Sequence, residues 1–242
     1  WWSEDGGTTW TEQIEDRWKP TDAVVADGDT AWLMSDPAVP WRHPDEGPPD
    51  QPIDHLLRDL DVADGVLVGV TDDCRLLRGA ADGALVAVPG PDAACPARGW
   101  LVDGAWWIHD PDAPGTWVDR GAGFVRAGPQ RPLVAIASGL DATWFVDEDG
   151  GLWQVPAGAD AAVPTALDTP ALAVAGTRER LWVGTRDGVR ITTDGRTFAP
   201  ANEGLTGLAT VGLVRDGERV WVAGDGTVAA LVAGGWSAIA GL

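Results

Sequence analysis

Apolar residues in this chain come in short runs divided by turn residues, rather than at the i, i+3, i+4 spacing of a helix. One run recurs as "TAWLMSD", "GVLVGVTDD", "GAWWIHD", "ATWFVDEDG", "RLWVGTRDG" and "RVWVAGDG". Aligned on Trp32, Leu67, Trp106, Trp144, Trp182 and Trp221, the copies are 35, 39, 38, 38 and 39 residues apart. An apolar run and a short polar turn precede each anchor ("RDLDVA", "VAIAS", "LAVAG"). A second turn, often Asp-Gly, and a third strand follow it. A fourth strand is expected to begin near Trp41, Leu85, Trp117, Phe198 or Trp236. Four short strands per ~40 residues form the blade of a β-propeller, and four to eight blades close a ring. The pattern therefore predicts an all-β propeller. Its aligned aromatics fill the gaps between blades, because a blade cannot bury both of its faces alone.

The repeat sets the expected boundaries within a single propeller domain, residues 1–242. A half blade covers 1–16, and blades cover 21–53, 54–96, 98–130, 131–169, 170–206 and 207–242. The half blade follows from "SEDGGTTW", which opens two residues into the chain. A weaker copy of that stretch, "TTDGRTF", places Asp194 12 residues after its anchor Trp182. By the same offset Asp5 belongs to an anchor 39 residues before Trp32, upstream of Trp1. The expectation is a seven-bladed ring with its first blade cut, whose exposed strand edge invites self-association. A six-bladed ring with an N-terminal hairpin is the alternative.

Both stretches combine a hydroxyl, Asp-Gly and a terminal aromatic. Asp-Gly supplies a hairpin turn with φ > 0, and the Asp side chain can bond its own backbone. Ser3, Asp5, Gly6, Gly7, Thr9 and Trp10 form the first copy; Asp194, Gly195, Thr197 and Phe198 form the second. Together they resemble the Asp-box (bacterial neuraminidase, BNR) repeat, which in known families occupies the turn between the third and fourth strands of a blade. The superfamily takes in sialidases, sortilin-type ectodomains and photosystem-stability-factor-like proteins. "LWVGTRDGVRITTDGRTFAPANEGL" is most similar to the last group and its bacterial relatives. Sialidases resemble one another in using a Tyr nucleophile, and this chain has no Tyr. The resemblance thus implies a fold, with a structural role for the box residues, more than an activity.

Composition narrows the partners. The 17 Lys and Arg against 37 Asp and Glu give a formal charge of −20, which repels nucleic acid and anionic lipid. No run approaches a membrane span of ~20 residues. The expected partner is a protein or a carbohydrate.

Candidate site residues lie in the loops. Six prolines between Pro37 and Pro52 stiffen a connector that carries Arg42, His43, Asp45 and Glu46. "HDPDAPG" brings His109, Asp110 and Asp112 to a turn between second and third strands, the kind of loop propellers use for ligands. "VDEDGG" offers Asp147 and Asp149 as a calcium site, since hard cations need several closely spaced oxygens; a solvated hairpin turn is its other reading. Otherwise neither cofactor nor metal is expected: the three histidines fall in separate blades, and no zinc spacing occurs. No catalytic pair stands out among the acids. Cys74 and Cys95 should reach the same rim, near enough for a disulfide. Such a bridge implies maturation outside the cytoplasm, in the periplasm or beyond the cell. The leading reading is a non-catalytic binding or scaffold propeller; the rival is a glycoside hydrolase using two rim carboxylates.

Overall fold

The computed structural model describes residues 21–27, 30–35, 39–43, 57–80, 85–91, 95–112, 115–205, 212–216, 219–224, 227–232 and 234–238, with backbone only for 21–43, 216 and 227. The half blade at 1–16, including the first box, lies outside the described residues, as do Asp45 and Glu46. Every regular element described is a strand. The strands fall into two compact units, one ending at Pro132 and one beginning at Leu133.

The earlier unit contains three antiparallel sheets. The first comprises β1 (Thr21–Asp27), β2 (Thr30–Ser35) and β3 (Val39–His43). The second comprises β4 (Leu57–Ala63), β5 (Val66–Thr71), β6 (Leu76–Ala80) and β7 (Val86–Val88). The third comprises β8 (Arg98–Val102), β9 (Ala105–Asp110), β10 (Gly115–Asp119) and β11 (Phe124–Arg126). The later unit repeats the plan. Its first sheet is β12 (Leu133–Gly139), β13 (Ala142–Asp147), β14 (Leu152–Pro156) and β15 (Val163–Pro164). The next is β16 (Ala171–Gly176), β17 (Leu181–Thr185), β18 (Gly188–Thr192) and β19 (Ala199–Pro200). The last is β20 (Gly212–Asp216), β21 (Arg219–Gly224), β22 (Thr227–Val232) and β23 (Gly235–Ala238). Each sheet is a meander in chain order. Trp41 and Trp117, expected to open fourth strands, instead lie within third strands β3 and β10.

Tight hairpins set this order. Asp64-Gly65, Asp103-Gly104 and Leu140-Asp141 join first to second strands with both residues at positive φ. That backbone matches the right-handed twist of the flanking strands. Leu140, at φ 52°, is unusual there; its side chain packs on a buried cluster and its N–H bonds Thr177 O at 3.0 Å.

The six anchors all fall on second strands, but two are one residue out of register. Trp144 and Trp182 stand three residues before the ends of β13 and β17, and Trp107 and Val68 hold that place in β9 and β5. Trp144 packs forward with Val174, Leu181 and Val183 of the following sheet. Trp182 likewise packs forward with Val220 and Val222. Trp106 instead packs backward on Val68, Val70 and Leu76. Side chains alternate across a strand, so a slip of one residue changes face. "VLV" and "WW" are apolar on both faces, which left periodicity no means of choosing.

Trp182 is 4 % exposed, whereas Trp221, in the same register of β21, is only half-buried. Trp182→Ala should therefore cost about 3–5 kcal/mol in chemical denaturation, as expected for a buried indole. Trp221→Ala should cost less than half as much, and equal losses would refute the assignment of faces.

Candidate functional site

Four of the second strands, β5, β9, β13 and β17, end in polar residues that are almost fully buried: Thr71 and Thr185 are 0 % exposed, Asp110 and Asp147 2 %. A buried polar group must be satisfied, and here the following turn does so. Thr71 Oγ1 donates to Asp73 Oδ1 at 2.6 Å and accepts the Arg75 N–H at 2.8 Å. Thr185 Oγ1 donates to Gly188 O at 2.9 Å. Asp147 Oδ1 accepts the Gly151 N–H at 2.6 Å, and its Oδ2 accepts the Trp153 indole N–H at 2.8 Å. Asp110 Oδ1 accepts the Asp112 N–H at 2.9 Å, and Oδ2 accepts the Cys95 N–H at 2.8 Å. Each side chain closes its own hairpin.

This places the sequence-nominated residues. His109 is 2 % exposed, with Nδ1 3.1 Å from Gly115 O, while Asp112 is exposed on the turn. Asp147 is buried under its turn and Asp149 is exposed upon it. Among the described residues, no group of three or more His, Cys, Asp and Glu is placed to hold a metal ion. Arg42 and His43 end β3, in a different sheet from His109 and Asp110. Cys74, in the turn after β5, and Cys95, just ahead of β8, form a disulfide with Cα atoms 4.7 Å apart.

The "TTDGRTF" turn sits between β18 and β19. Thr192 Oγ1 donates to Asp194 Oδ1 at 2.9 Å, and that oxygen accepts the Arg196 and Thr197 N–H groups at 2.8 Å each. The Thr197 and Arg196 backbone donors lead in pulling the Asp194 carboxyl down to about 2. Gly195, at φ 68°, lies against the Trp144 ring so closely that a Cβ would stand 3.0 Å from it. Phe198 packs on the same cluster. This turn thus docks on the preceding sheet.

Asp59 and Asp61 were missed. They share one face of first strand β4 and bond the neighbouring first strand β8. Asp59 Oδ2 accepts the Gly99 N–H at 2.7 Å, and Asp61 Oδ2 accepts the Leu101 N–H at 2.6 Å. Burial raises both carboxyls to about 6, against the opposing pull of these N–H bonds. Arg98 also lowers Asp59, and Asp59 raises Asp61. The signal was present as polar alternation in the "DLDV" of that run, Asp59 to Val62.

No protein-family profile matches the chain, and no curated protein sequence does so. Solved structures do. A structure of YCF48 bound to a D1 peptide superposes with TM-score 0.69 at 15 % identity, covering 92 % of this chain and 83 % of that one. YCF48 from Cyanidioschyzon merolae gives 0.62 at 13 %, covering 91 % and 86 %. Prp20p from Saccharomyces cerevisiae gives 0.63 at 9 %, covering 90 % and 76 %. At these identities the likeness concerns the fold. The protein is of the β-propeller class, built from antiparallel, mostly four-stranded sheets.

The two aspartates predict a pH dependence. Folding raises their pKa from 3.8 to about 6, so the folded chain holds these protons more tightly than the unfolded one. Their stabilisation is complete below ~3.8 and is lost as pH rises through ~6, by about 3 kcal/mol for each group. Denaturation midpoints should fall over that window, and the Asp59→Asn, Asp61→Asn double variant should flatten the fall. An unchanged slope in the double variant would remove the assignment.

Proposed function

We propose that this propeller is a non-catalytic binding or scaffold module for a protein partner, working outside the cytoplasm. The observation that carries the reading is the use of polar side chains at the strand ends. Asp110, Asp147 and Asp194 each spend carboxylate oxygens on backbone N–H groups of their own turns. Asp59 and Asp61 do the same on β8. Side chains committed in this way build a rigid frame, and the turns carry exposed acidic residues, Asp72, Asp112 and Glu148, for recognition.

The likeness to a peptide-bound propeller supports a protein partner over a sugar. The formal charge of −20 favours a partner segment rich in Lys and Arg, through complementarity of potential. Thr192, Asp194, Gly195 and Phe198 support the Asp-box reading of the repeat, as structural elements on the opposite rim from the second-to-third-strand turns. The disulfide supports an oxidising compartment.

Selection of displayed random peptides on the full chain, followed by calorimetry on synthetic copies, tests the proposal. Saturable binding by Lys- and Arg-rich sequences, weakened between low and high salt, is expected. Hydrolysis of aryl glycosides that disappears in the Asp59→Asn, Asp61→Asn variant, with no peptide selected, would overturn it in favour of a carboxylate-pair hydrolase.

A further inference from the structure

We propose that the Cys74–Cys95 bridge is a thiol–disulfide exchange site, polarised so that Cys95 is the sulfur released first. A β-bulge sets the two sulfurs apart. Pairing of β4 with β5 shifts register between Leu57 and Asp59, which takes Arg58 out of the strand's alternation. The same shift recurs at Leu133/Ala135 and Ala171/Ala173, where the intervening residues are Val134 and Leu172. A bulge re-aims the side chain it displaces. In this sheet alone among those three, the displaced residue is a cation.

Arg58 reaches the bridge. Its Nη1 lies 3.9 Å from Cys95 Sγ, and its Nη2 donates to Asp72 O at 3.4 Å. The two sulfurs therefore differ in electrostatic surroundings. Cys95 has a guanidinium beside it. The Asp110 carboxylate accepts the backbone N–H groups of Cys95 and Asp112. Cys74 instead directly follows Asp72 and Asp73, in a turn where its own φ is +69°. Asp73 is paired with Arg75 at 2.9 Å. A nearby cation lowers a thiol's pKa and so makes its thiolate the better leaving group. Both cysteines are partly exposed, as attack by a small thiol requires.

The exchange then runs in a defined order. A thiolate from a small-molecule thiol attacks Cys74 Sγ. The protein S–S bond breaks, and its electron pair leaves on Cys95 Sγ, where Arg58 stabilises the charge. A second thiolate attacks the sulfur joined to Cys74, forms the reductant's own disulfide and expels Cys74 as thiolate. Two thiols are oxidised to one disulfide, and the protein takes up two electrons and, once its thiolates are neutralised, two protons. The bridge ties the turn after β5 to the segment entering β8, so its state governs how that segment is held.

Brief treatment of the oxidised full chain with glutathione, quenching with N-ethylmaleimide and peptide mass spectrometry reads the order directly. Glutathione should be found on Cys74 and maleimide on Cys95, with a preference of at least about threefold. Arg58→Gln should abolish that preference and Arg58→Lys should retain it. As a second reading, after reduction of the full chain, Cys95 should alkylate faster than Cys74, and Arg58→Gln should remove the difference. Equal labelling, glutathione mainly on Cys95, or a preference that survives in Arg58→Gln would overturn the proposal.

Discussion

Burial of the second strand on both faces is the constraint from which the rest of this structure follows. β13 and β17 are each flanked by first and third strands within their sheet. β17 also faces buried clusters on both sides, with Leu181 and Val183 turned one way and Trp182 the other. Alternation along a strand then favours apolar or small residues, and a polar residue that ends the strand must be satisfied there. Thr71, Asp110, Asp147 and Thr185 occupy that position and satisfy it through their turns. The Asp194 turn belongs to the same scheme, because Gly195 seats directly on the indole of Trp144.

Adjacent sheets are further joined by polar bonds at the repeat spacing. Asp59 and Asp61 reach across 40 residues to β8, and Arg215 Nη1 reaches back across 39 to Gly176 O at 3.0 Å. Trp236 Nε1 donates to Ala201 O at 2.7 Å in the same manner. These bonds absorb side chains that, by composition alone, would be candidates for chemistry. A frame of this kind presents its turns rigidly, which lowers the entropic cost of ordering a partner against them.

The fold was legible because four strands and their turns recur every ~40 residues, and because Trp32, Trp144, Trp182 and Trp221 mark second strands by their bulk. Register was less legible. Leu67 and Trp106 lie in runs apolar on both faces, and only packing shows that Val68 faces the following sheet while Trp106 turns back on it. The site was least legible. His109 and Asp110 look like ligand-rim residues in "HDPDAPG", yet they lie buried, since a residue's place in a turn does not fix whether its side chain points out or under. Asp59 and Asp61 were hidden in a run read as apolar. Arg58 was hidden because no sequence pattern announced the bulge.

Native-state hydrogen exchange tests the central claim most directly, that stability resides in second strands buried on both faces. The account predicts that amides of β13 and β17 exchange only through global unfolding, while those of the short fourth strands β15 and β19 open locally at much lower free energy. Exchange of β13 and β17 amides at the same low opening free energy as β15 and β19 would contradict it.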